Sequence, residues 1–430
     1  MKISSLFLII FFICSELVAK DLSYYIGQAF ENNPKLNAER ENLKLIKQNI
    51  DISKSEFFPS LTLTGTQESS TSSNRTNQSG NVVADVSSDK ETKSLSIDQK
   101  IFQGFQGLNL LKKSQLEYDK AKYQLKKIEQ ETILNSIVVF YDLIFKFKNK
   151  NFNSSNLDLF ERQVESDKAR LQKGEINLTD LAQSESSLAG AKANLINAET
   201  ALVTSQAEFQ RVTRIGPPEE KNIIVKSLNV SIPNSFKTAL EISKKNNPKL
   251  VMAKLDALIA EKELAIEKSK LSPTASLNYS RSDSKDFSSA IDENNEETVK
   301  ATLSWPIIKG GKNFSSIKRA KHKKLKTELL LKDIENEVNT KTANAWSVFQ
   351  SSESVLESTK SQLEAAEIAN EGITLEYDSG DTRTTLEVIQ SRALLLNARI
   401  ENAKAERDLV ISKFKLLVQL GNLSINSIRP

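Results

Sequence analysis

The sequence predicts a mainly α-helical protein with a membrane β-barrel portion, built from two tandem copies of one unit: a β-hairpin followed by a long antiparallel helical hairpin. Three observations predict it. The phrase NNPKL stands at residues 32–36 and again at 246–250, and Pro59 and Pro273 repeat the same spacing of 214 residues, which marks an internal duplication. Neither glycine nor proline occurs from Leu108 to Lys173 or from Lys312 to Glu371, so each stretch can run as one helix. Four short segments ahead of those helices alternate apolar and polar residues, the pattern of strands with one oily face.

In chain order, MKISSLFLIIFFICSELVA at 1–19 places one lysine before an apolar run from Leu6 to Cys14 and a small residue at Ala19. That is the layout of a secretory signal peptide, and the run is too short to span a bilayer. Ile13 before Cys14 argues against a lipid-anchored variant. The sole cysteine leaves with this leader, so no disulfide or thiol chemistry is expected afterwards.

The first repeat then covers 20–214 and the second 234–430. In each, the asparagine before the NNPKL proline can cap a helix, and the proline fits the first turn, where no donor is missed. About six helical turns follow, up to a second break at FFPSLTLTG or LSPTASLNY. The strands are expected at about 61–69 and 93–101, and at about 275–283 and 297–305. Their oily faces are Leu61 and Leu63, Leu95 and Ile97, Leu277 and Tyr279, and Val299, Ala301, Leu303 and Trp305. The polar stretches between them, 68–92 and 282–297, read as exposed loops.

The helical hairpins are expected at about 106–214 and 311–420, turning at glycine tips Gly174 and Gly380. At 1.5 Å per residue their first arms are on the order of 90–100 Å long. Val338, Ala345, Phe349, Leu356, Leu363, Ala366, Ile373 and Tyr377 form a narrow seam at coiled-coil spacing. The segment 215–233, with helix breakers at both ends, is the linker.

Composition excludes other classes. A net charge of +4 over 430 residues is too weak to imply nucleic acid, and the densest basic stretch, IKRAKHKKLK at 317–326, has the spacing of a solvated helix face. One histidine, His322, and one methionine after the leader, Met252, cannot build a metal cage or a catalytic triad, so no catalytic residue, metal or cofactor is expected. Glycine, 13 in the chain, falls far below its usual share of about 7%. The most apolar stretch after the leader, 133–147, is interrupted by Asn135 and Asp142, so no transmembrane helix is expected. Four strands with a lipid-like face cannot stand alone, because open edges are not tolerated in hydrocarbon and a membrane barrel takes at least about eight strands. The chain should therefore assemble with others.

The doubled, co-linear set of NNPKL, the strand-to-helix breaks IFQGF and IIKGG at Gly104 and Gly310, and the tips GEINLTDLAQ and GDTRTTLEVIQS resembles the TolC family of outer-membrane channel-tunnels across the whole chain after the leader. The resemblance implies a homotrimer that closes a 12-stranded β-barrel in outer-membrane lipid and a 12-helix tunnel across the periplasm. It implies docking onto a periplasmic adaptor (membrane fusion) protein and an inner-membrane transporter, ABC or proton-driven, as the exit duct of a tripartite efflux pump or a type I secretion system. Drugs and secreted proteins both remain open as cargo. A purely structural periplasmic coiled coil is the alternative; it accounts for the heptads but not for the four strands.

The resemblance also assigns residues. Glu387 and Gln390, three apart and hence on one helix face, match two aspartates that ring the narrow periplasmic end in the family. Only one of the pair is charged here, and one extra residue stands between Gly380 and Arg383, so a weaker cation preference is expected. Tyr377 and Arg383 match residues that hold the tunnel shut through a Thr-Asp pair at the other tip, which reads here as Thr179 and Asp180. An arginine facing a carboxylate makes a charge-assisted bond, strong enough for a gate and breakable when a partner binds. Gly174 and Gly380 are the expected adaptor-docking tips, since glycine lets backbones approach closely.

Overall fold

The computed structural model describes residues 20–224, 230–288, 291–379 and 383–425; the expected leader at 1–19 and the tip residue Gly380 lie outside them. In chain order the elements are β1 (Lys20–Asp21), α1 (Leu22–Asn32), α2 (Pro34–Ser55), β2 (Ser60–Ser72), β3 (Arg75–Thr76), β4 (Val82–Val83), β5 (Val86–Phe102), α3 (Gln106–Gln172) and α4 (Leu178–Thr213). They continue as β6 (Ile223–Ile224), α5 (Phe236–Asn246), α6 (Pro248–Ser269), β7 (Thr274–Ser288), β8 (Ile291–Ser304), α7 (Lys312–Asp378) and α8 (Thr385–Leu420). Helix lengths of 11, 22, 67 and 36 residues in α1 to α4 recur identically in α5 to α8, as a duplication requires. No helix among the described residues is long and apolar enough to cross a membrane.

Both NNPKL phrases mark a helix break and restart. Asn33 Oδ1 accepts from the backbone N–H of Lys35 and Leu36 at 2.9 and 3.2 Å, and Asn247 Oδ1 accepts from Lys249 and Leu250 at 3.0 and 3.4 Å. Pro34 and Pro248 then open α2 and α6 without losing a donor.

The described residues fall into two compact units. One, Ala38–Lys127 with Lys244–Thr340, holds a four-stranded antiparallel sheet in the order β2-β5-β7-β8. Its central pairing, β5 with β7, joins the two repeats. Residues directly opposite one another share a face, so the register builds an apolar row Leu61–Ile97–Tyr279–Val299. Leu63–Leu95 lies to one side of that row, and Leu277–Ala301 and Ala275–Leu303 to the other. The opposite face carries Thr62–Ser96–Ser280–Thr298 and Asp98–Asn278–Lys300, with Asn278 Nδ2 donating to Asp98 Oδ1 at 2.7 Å. No element of this unit covers the apolar face: Leu63, Val299 and Leu303 are 79%, 71% and 76% exposed. The outer edges of β2 and β8 pair with no other strand among the described residues.

The strands run further than expected from the sequence. Most of 282–297 is strand, not loop, and β5 starts at Val86. The reason is chemical: the polar extensions keep the ladder going through their backbones, and their hydroxyls pair across it, Thr71 with Ser87 at 3.2 Å and Thr92 with Ser284 at 3.1 Å. Where β5 gives way to α3, Gly104 adopts φ +58°, and a Cβ there would stand 2.4 Å from Ser272 Cβ. Glycine is the only residue that fits this break.

The other unit comprises the chain up to Asn37, Ile128–Ser243, and from Lys341 on. It holds the core. Leu22, Tyr25 and Ile26 of α1 pack with Ile133, Ile137, Phe140 and Leu143 of α3, Leu202 and Phe209 of α4, and Phe414 and Leu417 of α8. Tyr25 meets Phe209 edge-on at 5.2 Å. The apolar stretch 133–147 thus becomes the centre of the helical core. A smaller cluster joins Ala239 of α5, Phe349 of α7, and Leu416 and Leu420 of α8. The strand pair β1–β6 is parallel and ties the beginning of the described chain to the linker.

Beyond the core, the side chains define neighbours among the long helices. Lys168 of α3 pairs with Glu185 of α4 at 3.2 Å; Asp142 and Lys148 of α3 pair with Arg407 and Glu406 of α8 at 3.0 and 2.6 Å; Glu367 of α7 pairs with Arg399 of α8 at 3.1 Å. These pairs set α3 beside α4 and α8, and α8 beside α7, while α4 also approaches α8 directly and Tyr377 of α7 reaches Asp167 of α3; α4 and α7 each keep one face free within the chain. Each carries apolar residues that stay exposed: Ile196 and Val203 on α4, and Val348, Val355, Ile368 and Leu375 on α7. Within each helix several of these recur every seven residues, the spacing of a packing seam.

Candidate functional site

The tips of the two helical hairpins bring together most of the residues the sequence singles out. After α3, the chain turns at Gly174, φ +76°, with Glu175 N–H donating to Arg170 O at 2.9 Å. The site of a Cβ on Gly174 is open, so the tip presents bare backbone. Helix α4 then starts with a capping box: Asn177 Oδ1 accepts from Asp180 N–H at 3.0 Å, and Asp180 Oδ2 accepts from Asn177 N–H at 3.2 Å. Thr179 beside them is exposed.

Helix α8 starts with the same device. Thr384 Oγ1 accepts from Glu387 N–H at 3.3 Å, and Glu387 Oε2 accepts from Thr384 N–H at 2.8 Å. Glu387 Oε1 meets Arg383 Nη1 at 3.0 Å, while Arg383 Nε donates to Glu376 Oε2. The Thr384 amide, and after it the Arg383 guanidinium, hold the Glu387 carboxyl below the usual carboxylate range. Asp180 and Glu387 are thus equivalent positions of the two repeats, each fastening the first turn of a returning helix. Gln390, one turn on, is exposed.

A pH dependence follows from this geometry. Because folding lowers the Glu387 pKa, its contribution is complete above the unfolded value and is lost as pH falls through the lower, folded one. The protection of the Thr385–Val388 amides, their exchange relative to the intrinsic rate at the same pH, is expected to fall once the pH drops below the ordinary carboxylate range. In Glu387→Gln, which keeps a capping side chain but cannot titrate, that fall should vanish. An unchanged pH profile in that variant would assign the effect to another carboxylate.

Tyr377 is buried, and its hydroxyl donates to Asp167 Oδ1 at 2.8 Å and lies 3.1 Å from Thr385 Oγ1. Burial pushes the phenol up. Within the chain neither Tyr377 nor Arg383 bonds to Thr179 or Asp180. The physical reason is that the Asp180 carboxylate is taken up by its own cap, while Arg383 has two carboxylates of its own hairpin within reach.

Sequence reasoning missed the group around Tyr377. Asp167 is fully buried; Gln163 Nε2 donates to its Oδ1 at 2.9 Å and Ser184 Oγ to its Oδ2 at 2.6 Å. The Arg170 guanidinium lies 4.4 Å from the centre of the Tyr377 ring. Arg392, also buried, donates from Nη1 to Leu159 O at 3.1 Å, and burial pushes its pKa down. A faint signal for Asp167 existed: folding the hairpin about Gly174 sets the end of α3 against the start of α4, which brings Asp167 to Ser184 and Lys168 to Glu185. Among the described residues, no group of three or more His, Cys, Asp or Glu could hold a metal ion.

A family model described as outer membrane efflux protein matches residues 25–213 and 239–422, one match per repeat. The outer membrane efflux protein BepC of Brucella suis is 24% identical over 412 residues, covering 96% of this chain and 87% of that protein. The outer membrane protein TolC of Escherichia coli is 22% identical over 420 residues, covering 94% and 83%. Among solved structures, the CmeC outer membrane channel of Campylobacter jejuni superposes with a TM-score of 0.81 at 12% identity, covering 93% of this chain and 85% of that one. The outer membrane protein VceC of Vibrio cholerae gives 0.78 at 17%, covering 93% and 96%. The two-repeat match, which takes in both helical hairpins and both pairs of long strands, carries the conclusion that this chain belongs to the outer membrane efflux protein family.

Proposed function

We propose that three copies of this chain close into a duct through the outer membrane and serve as the exit channel of a tripartite efflux pump or a type I secretion system. The observation that carries the reading is the sheet: four antiparallel strands with one exposed apolar face and two open edges. Water disfavours that face and hydrocarbon forbids those edges. Pairing β8 of one copy with β2 of the next satisfies both, and three copies give 12 strands, an ordinary size for such a barrel. The helical part asks for the same neighbour, since α4 and α7 carry exposed apolar seams. A purely structural coiled coil would leave the sheet without a purpose.

The work of such a protein is passage, not catalysis, with energy supplied by an inner-membrane transporter and an adaptor seated on the tips at Gly174 and Gly380. Glu387 and Gln390 of three copies would ring the narrow end. Because Arg383 already shares the Glu387 charge, the cation preference of that ring is weak. Arg383 and the pair Thr179 and Asp180 stand at the ends of elements that adjoining copies bring together, so their gate bonds form between copies.

The test is assembly and conduction together. Sedimentation in detergent should give a trimer, and the trimer in planar bilayers should give channels of small, fluctuating conductance. A stable monomer, or a trimer that never conducts, would overturn the proposal. Loss of a drug-resistance phenotype or of a secreted protein in a deletion strain separates the two cargo classes.

A further inference from the structure

The basic stretch 317–326 has no part in passage through a duct, yet the fold gives it a distinctive place. It belongs to a longer run, Thr298 to Thr327, that holds nine Lys or Arg and no Asp or Glu. The counterpart in the first repeat, 92–121 when Gly104 is aligned with Gly310, holds five cations and three carboxylates. One copy is therefore mixed and the other wholly basic. Of the nine cations, only Lys323 and Lys324 have a carboxylate within ion-pair reach among the described residues, Glu263 and Glu328.

Four of the other seven follow the end of the sheet. β8 stops at Ser304, and its apolar side continues through Trp305, Ile307 and Ile308, all exposed. The Trp305 indole N–H donates to Leu271 O at 3.0 Å, which satisfies its one donor and fixes the ring in this position. Lys309 and Lys312 then flank a tight turn at Gly310 and Gly311, φ +53° and +76°, closed by Lys312 N–H donating to Lys309 O at 3.0 Å. On α7, Lys318 shares a helix face with exposed Phe314, and Arg319 shares another with Lys312. All four cations are exposed. Unneutralised cations directly beneath an apolar surface match a boundary where phosphates lie under acyl chains.

We propose that Lys309, Lys312, Lys318 and Arg319 form a collar that binds the phosphate headgroups of anionic phospholipids, whose acyl chains lie on Trp305, Ile307, Ile308 and the apolar face of the sheet. The inference rests on the channel reading, which sets that face in hydrocarbon. Two features select the occupant. Charge complementarity calls for an anion, and continuity with the apolar face calls for one that carries hydrocarbon, which a free phosphate does not.

Trp305 is a built-in reporter, because the chain has two tryptophans and Trp346→Phe removes the other. The full-length Trp346→Phe protein is reconstituted in vesicles of phosphatidylcholine and phosphatidylglycerol in equal parts, with bromine on the chains of one lipid or of the other. Bromine quenches an indole only on contact. The quenching is expected to show a preference for the anionic lipid of about 5-fold or more, the worth of one cation at an anionic surface, and to move towards parity in molar salt. Replacing all four collar residues with glutamine should abolish the preference while the trimer and its conductance persist. The pair Lys309→Gln and Lys312→Gln should lower it part of the way, so the test does not depend on the fourfold variant assembling. Lys326→Gln, about 20 Å further along α7, should leave it unchanged. Equal quenching by the two lipids, or a preference that survives the four substitutions, would overturn the collar and leave the channel standing. Quenching by neither lipid would place Trp305 outside the bilayer and overturn the channel reading together with the collar.

Discussion

Val299→Arg is expected to abolish assembly in the membrane. Val299 ends the apolar row Leu61–Ile97–Tyr279–Val299 on the uncovered face of the sheet, and it is 71% exposed in the single chain. An arginine facing lipid near the bilayer centre costs about 2–4 kcal/mol per copy, and three copies incur it together. Thr298→Arg is the control: one residue earlier on β8, its side chain points to the hydroxyl-lined face beside Ser280, where a charge can be hydrated. Heat-modifiable migration on gels and detergent-extractable trimer should be lost in the first variant and retained in the second. Equal assembly of both variants would mean that the apolar face does not meet lipid.

Phe209→Ala is expected to loosen the core of the helical unit by about 3–5 kcal/mol, among the largest losses a single truncation can cause. The Phe209 ring is fully buried, with Tyr25 set edge-on against it, and it shares its cluster with Phe140 and Phe414. Helix α1 is only 11 residues long and meets this ring directly through Tyr25, so it should be the first element released. Limited proteolysis should cut within residues 20–32 before any other site, and the midpoint of denaturant unfolding should fall. Channel conductance should survive in trimers that do assemble, because the tips lie outside this cluster. Wild-type protease resistance at 20–32 would place the anchor of α1 elsewhere.

How much of this was legible follows from the range of each interaction. The restarts at Pro34 and Pro248 are local, an asparagine and the next three residues, and the sequence displays them. The long helices were visible in the lack of glycine and proline. The strand ends were not: Ser282 to Glu297 looks like a loop because its residues are polar, yet a ladder depends on backbone pairing that polarity does not forbid. The capping boxes were within reach, since NLTD and TTLE both place an acid three residues after a capping side chain. The Asp167 group was beyond it. Gln163 lies four residues away on the same helix, but Ser184 needs the register of a hairpin and Tyr377 needs the docking of one repeat on the other, 210 positions along the chain.

The pairing of β5 with β7 has a consequence for symmetry. It sets the second long strand of one repeat against the first long strand of the other, which is the same join that β8 and β2 would make between copies. A ring of three chains is then a ring of six near-identical hairpins, with only the covalent linker telling three of the joins from the other three. Duplication would have frozen a hexamer of half-length subunits into a trimer. Once fused, the halves were free to diverge, and in the proposed trimer a partner at the rim would meet two alternating kinds of join instead of one, three places in register rather than six equal ones.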